Sequence, residues 1–131
     1  MSNRTKVTYT LDRNVIEYIR NQSRSLSITH SRFVAESILS GYVMLLDGYD
    51  KNDHKPIVGV VRKRSHTIPI TLSLPTDVVE TLNWFSKVLN IKKSHLVRCC
   101  IRNREDEEYE PFFKIIREFE EYIERHKKST T

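Results

Sequence analysis

The sequence predicts a mainly α fold in which two strand-helix-helix units (β-α-α twice) form an intrachain pseudo-dimer around one two-stranded antiparallel ribbon, followed by a C-terminal α-helix. Three observations lead there: an internal repeat at an offset of 63 residues, a short period-two alternation at the head of each copy, and an apolar stripe of helical spacing near the end of the chain.

The repeat aligns 7–38 with 70–101 without a gap. Ten of these 32 positions are identical: Thr8/Thr71, Leu11/Leu74, Val15/Val78, Glu17/Glu80, Ser23/Ser86, Leu26/Leu89, Ile28/Ile91, Ser31/Ser94, Val34/Val97 and Ile38/Ile101. Ordinary residue frequencies would produce roughly two. Most of the shared positions are apolar or small, as a shared core requires.

In the first unit Val7, Tyr9 and Leu11 alternate with Lys6, Thr8 and Thr10, the pattern of a strand with one buried face. Asp12 then stands as an N-cap for a helix over about 13–25, with Val15, Ile16, Tyr18, Ile19 and Leu26 inward. After a break near 26–28, Thr29 or Ser31 caps a second helix whose inward stripe is Phe33, Val34, Ile38, Leu39 and Tyr42. The second unit repeats this, with Ile68, Ile70, Leu72 and Leu74 on one strand face and Pro69, Thr71 and Ser73 on the other. Pro75 and Thr76 open its first helix, which carries Val78, Val79, Leu82, Phe85 and Leu89. After 90–93 a further helix runs through Leu96, Val97, Cys100 and Ile101. A lone strand leaves its backbone groups unbonded, so each unit needs a partner strand. A tethered copy is at an effective concentration reaching the millimolar range, which predicts pairing within the chain.

The expected boundaries are 1–44 for the first unit, 45–66 for a linker, 67–104 for the second unit and 105–131 for an acidic segment with the amphipathic helix. The linker holds Asp47, Gly48, Asp50, Asn52, Asp53, Pro56 and Gly59, a turn-rich composition. A structureless loop of that length is unusual in a compact domain, so 57–61 is a candidate for a small strand or for packing across the helices. In the last segment Pro111 fits a first helical turn, and Phe112, Ile115, Ile116, Phe119, Tyr122 and Ile123 form one stripe. That stripe serves either packing on its own core or joining two chains, and the residues leave both open.

Composition narrows the function. A net charge of +5 suits a polyanionic partner, and the charge is unevenly placed: 17 Lys and Arg against 8 Asp and Glu over 1–104, then 5 against 9 over 105–131. No run approaches the ~20 apolar residues of a membrane span and the start MSNRTK lacks a signal's apolar core, so no membrane partner and a cytoplasmic location are expected. Cys99 and Cys100 are adjacent, which allows neither a disulfide framework nor a CxxC motif within one chain. His30, His54, His66, His95 and His126 are scattered, and no phosphate loop or nucleophile elbow occurs. We therefore expect no enzyme, no metal and no cofactor.

KVTYTLD with its following helices, and ITLSLPTDVV with NIKKSHLV, resemble the ribbon-helix-helix (Arc/MetJ-type) family of DNA-binding transcription regulators. Tandem single-chain versions resemble regulators of prokaryotic, including archaeal, mobile elements and viruses. The resemblance implies an antiparallel ribbon entering the major groove of double-stranded DNA, with base contacts from Lys6, Thr8, Thr10, Thr71 and Ser73. Lys donates to guanine O6 or N7, and hydroxyls both donate and accept. Pro69 stands where the first unit has Lys6, so the Lys6 side should be richer in direct contacts. The resemblance also implies phosphate contacts at the start of each second helix, by Thr29, His30 and Ser31 and by Lys92, Lys93 and Ser94. Arg4, Arg62, Lys63 and Arg64, just ahead of the strands, are expected on the DNA backbone. The acidic run from Glu105 should face away from DNA. A repressor acting as a homodimer or higher assembly is the expected role. The alternative is an antitoxin whose C-terminal stripe captures a protein toxin while the ribbon represses the operon.

Overall fold

The computed structural model describes residues 3–48, 66–106 and 109–129. Among them the chain is mainly helical, with five helices and one two-stranded antiparallel sheet. In chain order the elements are β1 (Arg4–Asp12), α1 (Arg13–Leu26), α2 (His30–Gly48), β2 (Thr67–Pro75), α3 (Thr76–Leu89), α4 (Lys93–Glu105) and α5 (Glu110–Ser129). The elements β2, α3 and α4 each start 63 residues after β1, α1 and α2, the offset of the sequence repeat. No helix among the described residues is long and apolar enough to cross a membrane.

The two strands of one chain pair with each other, in a register running from Arg4↔Pro75 through Thr8↔Thr71 to Asp12↔Thr67. The central pair is thus a residue and its own repeat. Tyr9, Leu11, Leu72 and Leu74 are buried on the inner face, whereas Lys6, Thr8, Thr10 and Thr71 are exposed on the outer one. The ladder continues past both ends, since Arg13 N donates to His66 O (3.1 Å) and Thr76 N to Asn3 O (2.9 Å). Ile68, expected on the buried face, is 37 % exposed, because it lies near the end of the ribbon, where cover is thinner.

Both units turn between their helices in the same way. Ser27 (φ 57°) and Asn90 (φ 55°) are left-handed, and Ile28 N bonds Ser23 O while Ile91 N bonds Ser86 O. These bonds satisfy carbonyls that the helix end would leave open and reverse the chain within three residues. Leu26, expected inward, sits in the final turn of α1 and is 50 % exposed. Leu39, also expected inward, is 48 % exposed. At 100° per residue the stripe of α2 that meets the core is Phe33, Val34, Ile38 and Tyr42, and Leu39 falls outside it on the same face as Val43. The helix α2 also runs on through residues 45–48, past the expected boundary at 44.

The centre of the core is where α2 and α4 meet. Gly41 of α2 lies so close to Cys100 that a Cβ there would stand 2.5 Å from the Cys100 Sγ. The absence of a side chain is what lets the helices approach. Phe33, Val34, Ile38, Leu96, Val97 and Ile101 fill the space around them, all nearly or fully buried.

The stripe of the final helix packs against its own chain. Phe112, Ile115, Ile116 and Phe119 are buried within this chain, whereas Tyr122 and Ile123 are half-buried. Burial of four such side chains contributes on the order of 6–12 kcal/mol before ordering costs. The helix packs on α2, α3 and α4, and not on α1. The reason lies in one departure from the repeat. Where α3 carries Trp84 and Phe85, α1 carries Asn21 and Gln22. Phe85 meets the ring of Phe119 at 5.4 Å and Trp84 meets Tyr122 at 6.5 Å, contacts that amides in α1 have no means of forming.

Candidate nucleic-acid interface

The outer face of the ribbon brings together the residues expected to read bases. Lys6 stands opposite Ser73, Thr8 opposite Thr71, and Thr10 opposite Pro69. The two central hydroxyls bond each other, Thr8 Oγ1 to Thr71 Oγ1, at 3.0 Å. A hydroxyl has one hydrogen to donate and two lone pairs, so this bond uses one hydrogen and leaves the second one, with lone pairs on both oxygens, for another partner. Ser73 differs from the others. It is half-buried, its hydroxyl accepts from Arg4 Nε at 3.2 Å, and its carbonyl accepts from Arg4 Nη2 at 3.0 Å. Arg4 is therefore laid along the ribbon by Ser73.

Thr10 N donates to Ser94 Oγ (3.2 Å) and Ser73 N to Ser31 Oγ (3.0 Å). Their amides thus point out of the ladder, and by the alternation of antiparallel pairing so does the nitrogen of Pro69, where a missing N–H removes no ladder bond. The same two bonds redefine Ser31 and Ser94. Expected at the helix starts beside phosphate, their hydroxyls tie the first turns of α2 and α4 to opposite edges of the ribbon. The cap of α2 is Thr29, whose Oγ1 accepts from Arg32 N at 3.0 Å. Thr29 and His30 are exposed at the start of α2, and Lys92 and Lys93 at the start of α4. Each helix start thus lies beside one edge of the ribbon. Arg62, Lys63, Arg64 and the segment 57–61 lie outside the described residues.

Between one end of the ribbon and α4 is an open pocket of about 300 Å³, lined by Thr10, Asp12, Thr67, Lys92, Ser94, His95 and Arg98. Asp12 does not cap α1 through its side chain, as the sequence suggested. Its carboxylate faces the Arg98 guanidinium at 3.4 Å, with both side chains mostly buried. Arg98 also contacts the Nδ1 atom of His95. Periodicity gave no sign of Asp12, Thr67, His95 and Arg98 as a group. One signal was available, because Arg98 takes the place of Ala35 in the repeat, an odd exchange for a helix that otherwise keeps its core positions.

The acidic segment begins at the opposite end of α4. Thirteen residues separate the two ends of that helix, a rise of about 20 Å, so Glu105 and Asp106 stand well away from the ribbon. Residues 107 and 108 lie outside the described residues. The cysteines are buried free thiols. Burial pushes Cys99 up to about 12 and Cys100 further up, so both stay protonated and unreactive at neutral pH. Among the described residues no group of three or more His, Cys, Asp or Glu is placed to hold a metal ion. No family model, curated protein or solved structure matches the chain.

Proposed function

We propose that this chain binds double-stranded DNA as a single-chain ribbon-helix-helix pseudo-dimer, laying the outer face of the β1–β2 ribbon in the major groove and acting as a transcription regulator. The observation that carries the reading is the exposed row Lys6, Thr8, Thr10 and Thr71 on a two-stranded sheet whose edges are flanked by the starts of α2 and α4. Strands about 4.8 Å apart make a ribbon narrower than the ~12 Å major groove, so both rows of side chains reach base edges. Lys6 supplies a donor for guanine, and the Thr8–Thr71 pair supplies one further O–H and several acceptors. Lys92, Lys93 and His30 meet the flanking phosphates together with the helix-start amides. The role is binding without catalysis. Repression follows if the bound site overlaps a promoter.

The toxin-capture alternative requires an available apolar stripe. Phe112, Ile115, Ile116 and Phe119 are already covered by this chain's own helices, which favours the regulator.

Selection of bound sequences from a randomised duplex pool tests the proposal. The wild type should enrich a motif, and Lys6→Ala and Thr8→Ala should weaken it while keeping the fold by circular dichroism. Binding that shows no motif, or that both variants leave unchanged, refutes ribbon readout.

A further inference from the structure

We infer that the DNA site covered by one chain is non-palindromic, with a guanine contact at the Lys6 end of the ribbon and the stronger grip on the DNA backbone at the opposite end. This rests on the DNA-reading role proposed above. It arises from how the two copies of the repeat differ on the exposed face.

A ribbon made of two identical strands presents the same chemistry from either end and selects a site equal to its own reverse complement. Here the register relates the two strands by a pseudo-two-fold through Thr8↔Thr71, so each other residue and its repeat stand at opposite ends of the ribbon. The central pair is chemically equal, and Thr10 and its repeat Ser73 are both hydroxyls. The remaining outer positions are not equal. Lys6 has Pro69 as its repeat, Arg4 has Thr67, and Asp12 has Pro75. Both cations of the outer face therefore lie at one end, where Arg4 is held on Ser73. At the other end are Pro69, Thr67 and Asp12, and the charge of Asp12 is taken up by Arg98. The ends at Lys6 and Thr10 stand about 14 Å apart at the strand rise, several base-pair steps of 3.4 Å, so they meet different base pairs. Lys6 donates to guanine O6 or N7. Pro69 has no donor and offers at most an apolar contact to a thymine methyl.

The helix starts are unequal in the opposite sense. The end poor in ribbon cations is the one beside α4, which opens with Lys92 and Lys93, whereas α2 opens with Thr29 and His30. Arg32, in the first turn of α2, is engaged by Glu36 at 3.0 Å. The base-reading cation Lys6 and the paired helix-start lysines thus stand at opposite ends of the ribbon, with Arg4 beside Lys6 already engaged by Ser73, and the bound chain has a defined direction on DNA.

The test compares full-length wild type, Lys6→Ala and Pro69→Lys in selection from randomised duplex, with the motif read inside the segment that a single chain protects from cleavage. Pro69→Lys restores at the poor end the residue found at position 6, on an exposed site where an added N–H meets no ladder partner. The wild-type motif should differ from its own reverse complement, with one guanine whose replacement lowers affinity about 10-fold. Lys6→Ala should lose the preference for that guanine, and Pro69→Lys should add a guanine at the mirrored position and move the motif toward a palindrome. A palindromic wild-type motif within one footprint overturns the inference and leaves DNA reading standing, whatever the variants do. A Pro69→Lys motif identical to that of the wild type also overturns it. The absence of any wild-type motif overturns the DNA reading itself.

Discussion

Replacing Gly41 by Ala is the sharpest test of how the two helix pairs meet. In an open helix this change stabilises by about 1 kcal/mol, because Ala loses less backbone freedom than Gly. Here the new Cβ would stand 2.5 Å from Cys100 Sγ, 3.2 Å from Cys100 Cβ and 3.5 Å from a ring carbon of Phe112. The first distance is inside any real contact, and the sulfur is fully buried, so it has no open space to retreat into. Overpacking of a filled core destabilises by about 1–3 kcal/mol or more. The net effect of Gly41→Ala should be a loss of about 1–2 kcal/mol. Cys100→Ala removes the sulfur and should itself destabilise by about 1 kcal/mol through lost burial. In that background Gly41→Ala keeps only the 3.2 Å contact to the residue 100 Cβ and the ordinary 3.5 Å contact to Phe112, and should be neutral or stabilising, giving a coupling of about 1–2 kcal/mol between the two sites. Urea denaturation of the four proteins, followed by circular dichroism at constant slope, measures the cycle. A stabilising Gly41→Ala in the wild-type background would refute the close crossing, and so would equal destabilisation in both backgrounds.

Three further outcomes follow from single features of the structure. Ser27→Gly should stabilise by about 0.5–1 kcal/mol, since a serine at φ 57° bears a Cβ clash that glycine lacks, and Asn90→Gly should gain less because Asn tolerates this region; denaturant midpoints compare the two, and equal gains contradict the reasoning. Asp12→Ala should destabilise by about 1–3 kcal/mol by leaving the mostly buried Arg98 guanidinium without its carboxylate, and adding Arg98→Ala, which copies Ala35 of the first unit, should recover part of that; no recovery in thermal melts would show that the pair is not the cause. Stability should also fall in alkali. Burial raises the folded-state thiols, Cys99 to about 12, above their unfolded values. Their contribution is therefore complete below the unfolded pKa of about 8.5 and is lost as pH rises toward the folded values, at about 1.4 kcal/mol per pH unit for each thiol. Denaturation at pH 8 and pH 10 should differ by about 4 kcal/mol, and the double variant Cys99→Ala, Cys100→Ala should show a much smaller difference.

Much of the architecture was open to reading in the linear chain because its causes are local or repeated. Alternation at period two marked β1 and β2, helical spacing marked all five helices, and the 63-residue offset implied that Thr8 and Thr71 belong to equivalent places. The outer row Lys6, Thr8, Thr10 and Thr71 was legible for the same reason, since one face of a strand is set by its period alone. Tethering led to the expectation that these strands pair within the chain, with swapped pairing between chains as the competitor, and β1 and β2 form one two-stranded antiparallel sheet.

Other features depended on groups that meet only after folding. Ser31 and Ser94 look like caps in sequence, yet each hydroxyl accepts from a strand amide 42 or 84 residues away, and no local pattern encodes such a bond. Asp12 was assigned to its own helix and instead pairs with Arg98, 86 residues further on. Leu26, at the end of α1, and Leu39, beside the stripe where α2 crosses α4, satisfy an apolar count but lie outside the buried faces. The stripe of α5 could be recognised as apolar from spacing alone, whereas its partner was decided by Trp84 and Phe85 standing where α1 has Asn21 and Gln22. Sequence by itself determined which faces are apolar and which positions are repeated, because these follow from the backbone period. Only the tertiary structure decided which face meets which, because burial depends on the shape of surfaces brought together from distant parts of the chain.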